Sequence, residues 1–144
     1  MTLSSFLMVE YLFLPIILDV NMNLKKAIIE LIGLERTALH DNFNWDSLSN
    51  EEKNNHEEIW KNAISNSYLA LENSNVEEII DCVMLDENWE LPVSVKIAVL
   101  RKAKTLGANS RNFLLQYYSY MATHLDPSIE KTEAEIKLDE LLDQ

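Results

Sequence analysis

Three histidines and one cysteine are the residues whose types could bind a metal or act as a nucleophile: His40, His56, His124 and Cys82. His56-Glu57-Glu58-Ile59-Trp60 begins like a zinc-protease helix, where two histidines one turn apart hold the metal. Position 60 is tryptophan, so the second ligand is missing and the match fails. His40-Asp41 and His124 with Asp126 would each need ligands from elsewhere in the chain. Cys82 lies among Ile79, Ile80, Val83 and Met84, a setting for a buried thiol that packs as a small hydrophobe. Gly33 and Gly107 are the two glycines, too few for a phosphate-cradling loop, and no nucleophile-elbow, Walker or dinucleotide fingerprint occurs. Carboxylates are abundant, but a catalytic pair cannot be told from a solvated face by sequence. The expectation is a protein that is not an enzyme and uses no metal or cofactor.

Charge carries more information than chemistry. Twelve Lys and Arg stand against 24 Asp and Glu, a net charge of -12 over 144 residues. Such a balance argues against direct nucleic-acid binding, which needs a cationic footprint. The charges are also segregated. Glu72 to Glu90 holds seven acids and no base, whereas Leu91 to Leu125 holds five bases and no acid. Residues 126–143 return to seven acids with two lysines. A basic helix stacked between acidic ones neutralises part of this, each exposed pair being worth only about 0–1 kcal/mol. A large negative excess is left, serving either solubility or the steering of a basic partner.

The elements that must position these residues read as helices, and the fold class is all-α. Leu24, Ile28, Leu31, Ile32 and Leu39 recur at helical spacing. Ser49 with Glu52 and Ser74 with Glu77 read as capping boxes. The stripe of the first box's helix is Trp60, Ile64, Ser67 or Tyr68, and Leu71; that of the second is Val76, Ile79, Ile80, Val83 and Met84. Pro92 fits a first helical position and Gly107 a helix stop, with Val95, Val99, Ala103 and Leu106 on one face between them. Asn109 or Ser110 opens a helix striped by Leu114, Tyr118, Met121 and Leu125, and Asp126-Pro127 starts the last one. About six or seven helices follow from this punctuation.

Residues 1–21 are apolar and read differently. They suit a segment packed on the core, sequence upstream of a natural start at Met22, or a membrane anchor interrupted by Glu10, Pro15 and Asp19. Residues 22–144 then form one helical domain, expected in the cytoplasm: a single cysteine rules out an intramolecular disulfide and fits a reducing compartment.

The capped helices pair at a period of about 35 residues. Lys61 aligns with Lys96, Ala63 with Ala98, Ile64 with Val99 and Leu71 with Leu106. With Trp60, Tyr68, the run Asn75 to Ile80 and Leu125-Asp126-Pro127, this resembles the tetratricopeptide repeat. The resemblance implies stacked antiparallel hairpins over about 57–91 and 92–126, with 127–143 as a capping helix, and a role in protein–protein interaction. An irregular helical bundle would carry much the same pattern.

Two surfaces are candidates for the partner. Asp86, Glu87, Trp89 and Glu90, with Asp41, Trp45 and Asp46, set tryptophans among carboxylates, an arrangement suited to an interface centre. They suggest an acidic inhibitor or neutralising partner, of the immunity-protein or antitoxin kind, for a basic toxin or nuclease whose cleft attracts phosphates. Lys96, Arg101 and Lys104 suggest instead an adaptor gripping an acidic peptide in a groove. A nucleic-acid-mimicking inhibitor is the third form of the expectation.

Overall fold

The computed structural model describes residues 22–40, 44–85 and 91–144, and among these all regular structure is helical. The chain is therefore all-α. Its helices are α1 (Leu24–His40), α2 (Asn50–Glu72), α3 (Val76–Leu85), α4 (Val93–Thr105), α5 (Arg111–His124) and α6 (Ile129–Leu142), with a short 3-10 turn at Trp45–Ser47 before α2. No described helix is long and apolar enough to cross a membrane. The three readings of residues 1–21 lie outside the described residues.

Local chemistry explains the boundaries. Asn23 Oδ1 accepts the Lys26 N–H at the start of α1. Ser49 and Glu52 form the expected capping box, each accepting the other's backbone N–H. That exchange, led by the Ser49 backbone N–H, holds the Glu52 carboxyl below its ordinary range. The second box sits one residue later than the sequence suggested. Asn75 and Glu78 exchange the bonds, at 3.0 and 2.9 Å, while the Ser74 hydroxyl donates back to the Ala70 carbonyl at 2.7 Å. Both registers have the three-residue spacing a box requires, and asparagine caps as well as serine. Pro92 caps α4 from just outside its first turn. The α6 cap is Ser128, whose hydroxyl accepts from the Lys131 N–H, two residues beyond Asp126.

Gly107 ends α4 in the left-handed region, at φ 102°. Its N–H reaches the Lys104 carbonyl and that of Ala108 reaches Ala103, both at 3.0 Å, so α4 closes with a Schellman motif. A Cβ on Gly107 would meet open space, as would one on Gly33 inside α1. Replacement by alanine should therefore act through backbone preference alone and with opposite signs. Gly107→Ala should cost about 1–2 kcal/mol, and Gly33→Ala should gain about 0.5–1 kcal/mol. Urea unfolding midpoints of the two variants check both signs.

Packing joins α1 to α2 and α3, α4 to α2, α3 and α5, and α5 most extensively to α6. Helix α2 leans on α1 and α4 more than on α3, its sequence neighbour. The Arg111 side chain at the start of α5 donates to the Leu141 carbonyl at the end of α6, and Lys131 reaches back to the Ala122 carbonyl. Helices α5 and α6 thus run antiparallel. The core gathers Leu24, Ala27, Ile28 and Leu31 of α1, Ala63, Ala70 and Leu71 of α2, Ile79, Cys82 and Val83 of α3, Val95, Val99, Leu100 and Ala103 of α4, and Phe113, Tyr117, Tyr120 and Met121 of α5. Helix α6 adds only Ala134 to the fully buried set.

Some stripes are rotated from their expected faces. Helix α5 buries Phe113, Tyr117, Tyr120 and Met121, leaving Leu114 and Tyr118 half-buried, because α4 and α6 both pack on it. Helix α2 keeps its stripe and takes the Ser67 alternative, the Ser67 hydroxyl turning inward to donate to the Ala63 carbonyl while Tyr68 faces outward. Leu106 is 42% exposed at the end of α4, and Leu100 takes the central position instead.

Candidate protein-binding surface

Helix α3 sorts its ten residues by angle. Ile79, Cys82 and Val83 face the core and are buried. Val76 and Ile80 lie at the edge, half-buried, and Met84 is 59% exposed. Glu77, Glu78 and Asp81 are exposed beside them. Glu78 is committed to the Asn75 cap. Among the described residues, Glu77 and Asp81 make no ion pair. An open cleft of about 380 Å³ lies along this face, lined among the described residues by Val76, Glu77, Ile80 and Asp81. A half-apolar cleft edged by unpaired carboxylates suits a partner that is itself apolar and basic.

Asp86, Glu87, Trp89 and Glu90 follow α3 in sequence, and they, with Asp41, lie outside the described residues. Trp45 and Asp46 are described. Trp45 is 40% exposed and held against the start of α2, its ring edge-on to His56 at 6.4 Å and under the Lys53 ammonium at 5.8 Å. Such stacking fixes an aromatic surface in place at little entropic cost. Asp46 is exposed, with its backbone N–H held by the Asn44 side chain.

The cationic groove expected at Lys96, Arg101 and Lys104 is different in kind. Lys96 is only 1% exposed, with its ammonium 5.5 Å from the Tyr120 ring centre. It cannot grip a tail in solvent, which corrects its assignment to a groove. Its neighbours Val95, Val99 and Leu100 carry it into the core, where a long aliphatic stem packs as a hydrophobe. The Arg101 guanidinium binds both carboxylate oxygens of Glu130 on α6, with Nε to Oε2 at 3.1 Å. Lys104 lies over the Tyr117 ring at 5.6 Å. Burial first, and then the Glu130 charge, push the Tyr117 phenol above its ordinary range. Lys96, Arg101 and Lys104 are thus engaged with α5 and α6.

Cys82 is the remaining reactive type. It is 1% exposed, and burial pushes its thiol up to about 11, with Asp81 and Glu78 adding to the rise and Lys25 opposing it. A thiol so placed is protonated at neutral pH, the opposite of an activated nucleophile. No group of three or more metal-ligating side chains occurs among the described residues. A second cleft, about 430 Å³ between α1 and α2, is lined by Gly33, Leu34, Ile59, Asn62 and Asn66 among others, and the Asn62 Oδ1 beside it is buried without a hydrogen-bond partner.

Sequence reasoning marked the acidic run but not how α3 would present it. The signal was available: Val76, Ile80 and Met84 are four apart, so they drift around the helix away from Ile79 and Val83. Comparison of the chain with protein-family models, with curated proteins and with solved structures gives no match.

Proposed function

We propose that this chain is a non-catalytic protein-binding module that neutralises a basic partner, as an immunity protein or antitoxin neutralises a toxin or nuclease. The observation that supports it is the outward face of α3, where Glu77 and Asp81 are exposed and, among the described residues, unpaired beside an open cleft. In a chain of net charge -12 no cation of their own helix offsets these carboxylates, since Glu72 to Glu90 holds no Lys or Arg. A nuclease cleft concentrates positive potential to attract phosphates, so a carboxylate-rich surface competes for the same field. The α4 cations favour the acidic reading over a groove for acidic peptides, because Arg101 and Lys96 are already engaged within the fold.

The test is affinity capture of the partner from the host cell, followed by binding titrations at low and high salt. One basic partner should bind at low salt and be shed at high salt. The double variant Glu77→Lys/Asp81→Lys should weaken binding about tenfold at low salt and flatten the salt dependence. Unchanged low-salt affinity in that variant would remove the α3 face from the interface.

A further inference from the structure

We infer that the α3 face reads a basic amphipathic helix of the partner, an inference that rests on the neutralising reading and specifies what the acidic surface recognises. Two parallel ridges run along α3. Val76, Ile80 and Met84 make one, each a turn beyond the last, and Glu77 and Asp81 make the next. Residues four apart form the ridges that pack into the grooves of another helix. The cleft of about 380 Å³ is lined, among the described residues, by Val76 and Ile80 of the first ridge and Glu77 and Asp81 of the second. One wall is apolar and the other carboxylate.

An occupant must match both walls. A helix laid in this groove would place its own apolar ridge against Ile80 and Met84, and a flanking ridge of Lys or Arg against Glu77 and Asp81. An extended strand would find nothing to pair with, because the α3 backbone is satisfied within its own helix and at the Asn75 cap. A second copy of this chain is disfavoured by its net charge of -12. The apolar ridge runs about 12 Å from Val76 to Met84, two turns of helix, and Met84 lies one turn past the cleft-lining Ile80. Met84, 59% exposed and on the outer edge, is the residue with most surface left to bury.

The probe is a synthetic fifteen-residue peptide of leucine and lysine, with leucine four apart along one face and lysine beside it. Its control is the same composition scrambled. The full-length chain is titrated with each at low and high salt, and methyl resonances of Val76, Ile80 and Met84 are followed. The patterned peptide should bind at least tenfold more tightly than the scrambled one and shift those methyls. Met84→Ser should cost about fivefold in affinity with the salt slope unchanged. Glu77→Gln/Asp81→Asn should lower the salt slope for both peptides. Equal binding of the two peptides, or an unchanged affinity in Met84→Ser, overturns the helix inference while leaving the acidic surface standing. Absence of low-salt binding by either peptide counts against the neutralising reading itself. Met84 is exposed and Glu77 and Asp81 lie on the surface, so these variants keep the core intact.

Discussion

Leu100→Ala should destabilise the protein by about 3 kcal/mol, the middle of the range for a fully buried leucine. Leu100 has no exposed surface and sits on α4. That helix packs against α2, α3 and α5, so a cavity there is felt by most of the fold. Shortening the side chain removes three carbons, and the facing elements can only partly close the gap. The helices on different sides are held by separate contacts and cannot all move toward one point. For a chain of this size the loss should lower the melting temperature by about 6–12 °C. Urea unfolding should show a lower midpoint with an unchanged slope, the mark of altered stability without altered compactness. Leu106→Ala is the matched control. Leu106 is 42% exposed, and its replacement should cost less than about 1 kcal/mol. Equal losses at the two positions would mean that α4 presents a different face to the core.

That pair of leucines shows what was legible in the sequence. The spacing Val95, Val99, Ala103 fixes a helix and one line along it, and all three are buried. It does not fix how wide the buried arc is. Helix α4 has neighbours on several sides, so its buried arc widens to include Leu100 and even Lys96, while Leu106 slips out as the chain turns at Gly107. Helix α5 shows the same effect: Met121 is buried as its stripe has it, but Phe113, Tyr117 and Tyr120 are buried while Leu114 and Tyr118 are only half-buried. Periodicity reports the preference of one helix, whereas burial depends on how many partners surround it. Cap positions were legible to within one or two residues, since Ser74, Asn75, Asp126 and Ser128 are all good cap formers. Between Ser74 and Asn75 the preceding helix decides, since the Ser74 hydroxyl is drawn back to the Ala70 carbonyl.

The candidate site was legible as charge and not as geometry. The acid-only stretch from Glu72 to Glu90 is visible in one line of sequence. Which of its carboxylates are spoken for is not. Glu78 closes a capping box, whereas Glu77 and Asp81, one residue before it and three after, remain on the open lane. The cations of α4 carry the converse lesson. Lys96, Arg101 and Lys104 are near one another in sequence, yet each is drawn to a different internal partner. Long side chains reach several ångströms from the backbone, so their fate depends on residues of other helices, Tyr120, Glu130 and Tyr117, that no local pattern reveals.

Cys82 should react with a maleimide at pH 8 about a hundredfold more slowly in the folded protein than in the unfolded one. The thiol's ordinary value is near 9, and burial lifts it to about 11 in the fold. At pH 8 the thiolate fraction then falls from about one in ten to about one in a thousand, and the thiolate is the reacting species. Restricted access at 1% exposure slows the reaction further. The same shift links stability to pH. The folded state holds the thiol proton more tightly than the unfolded chain does, so its contribution is intact below pH 9 and is lost as pH rises toward 11. The Tyr117 phenol, also raised by burial, adds to the alkaline loss in the same direction. Melting temperature should therefore fall over pH 9–11, and Cys82→Ala should flatten the lower part of that limb relative to its own value at pH 7. Labelling as fast as in denaturant would mean either a stabilised thiolate or a helix α3 that opens readily, and the pH profile separates them. An activated thiolate would react at a rate independent of pH above neutrality, whereas opening of α3 would follow the ordinary titration near 9. Because Cys82 faces the core and Glu77 and Asp81 face outward on the same helix, a partner helix bound on the outer face should slow the labelling again by favouring the closed form.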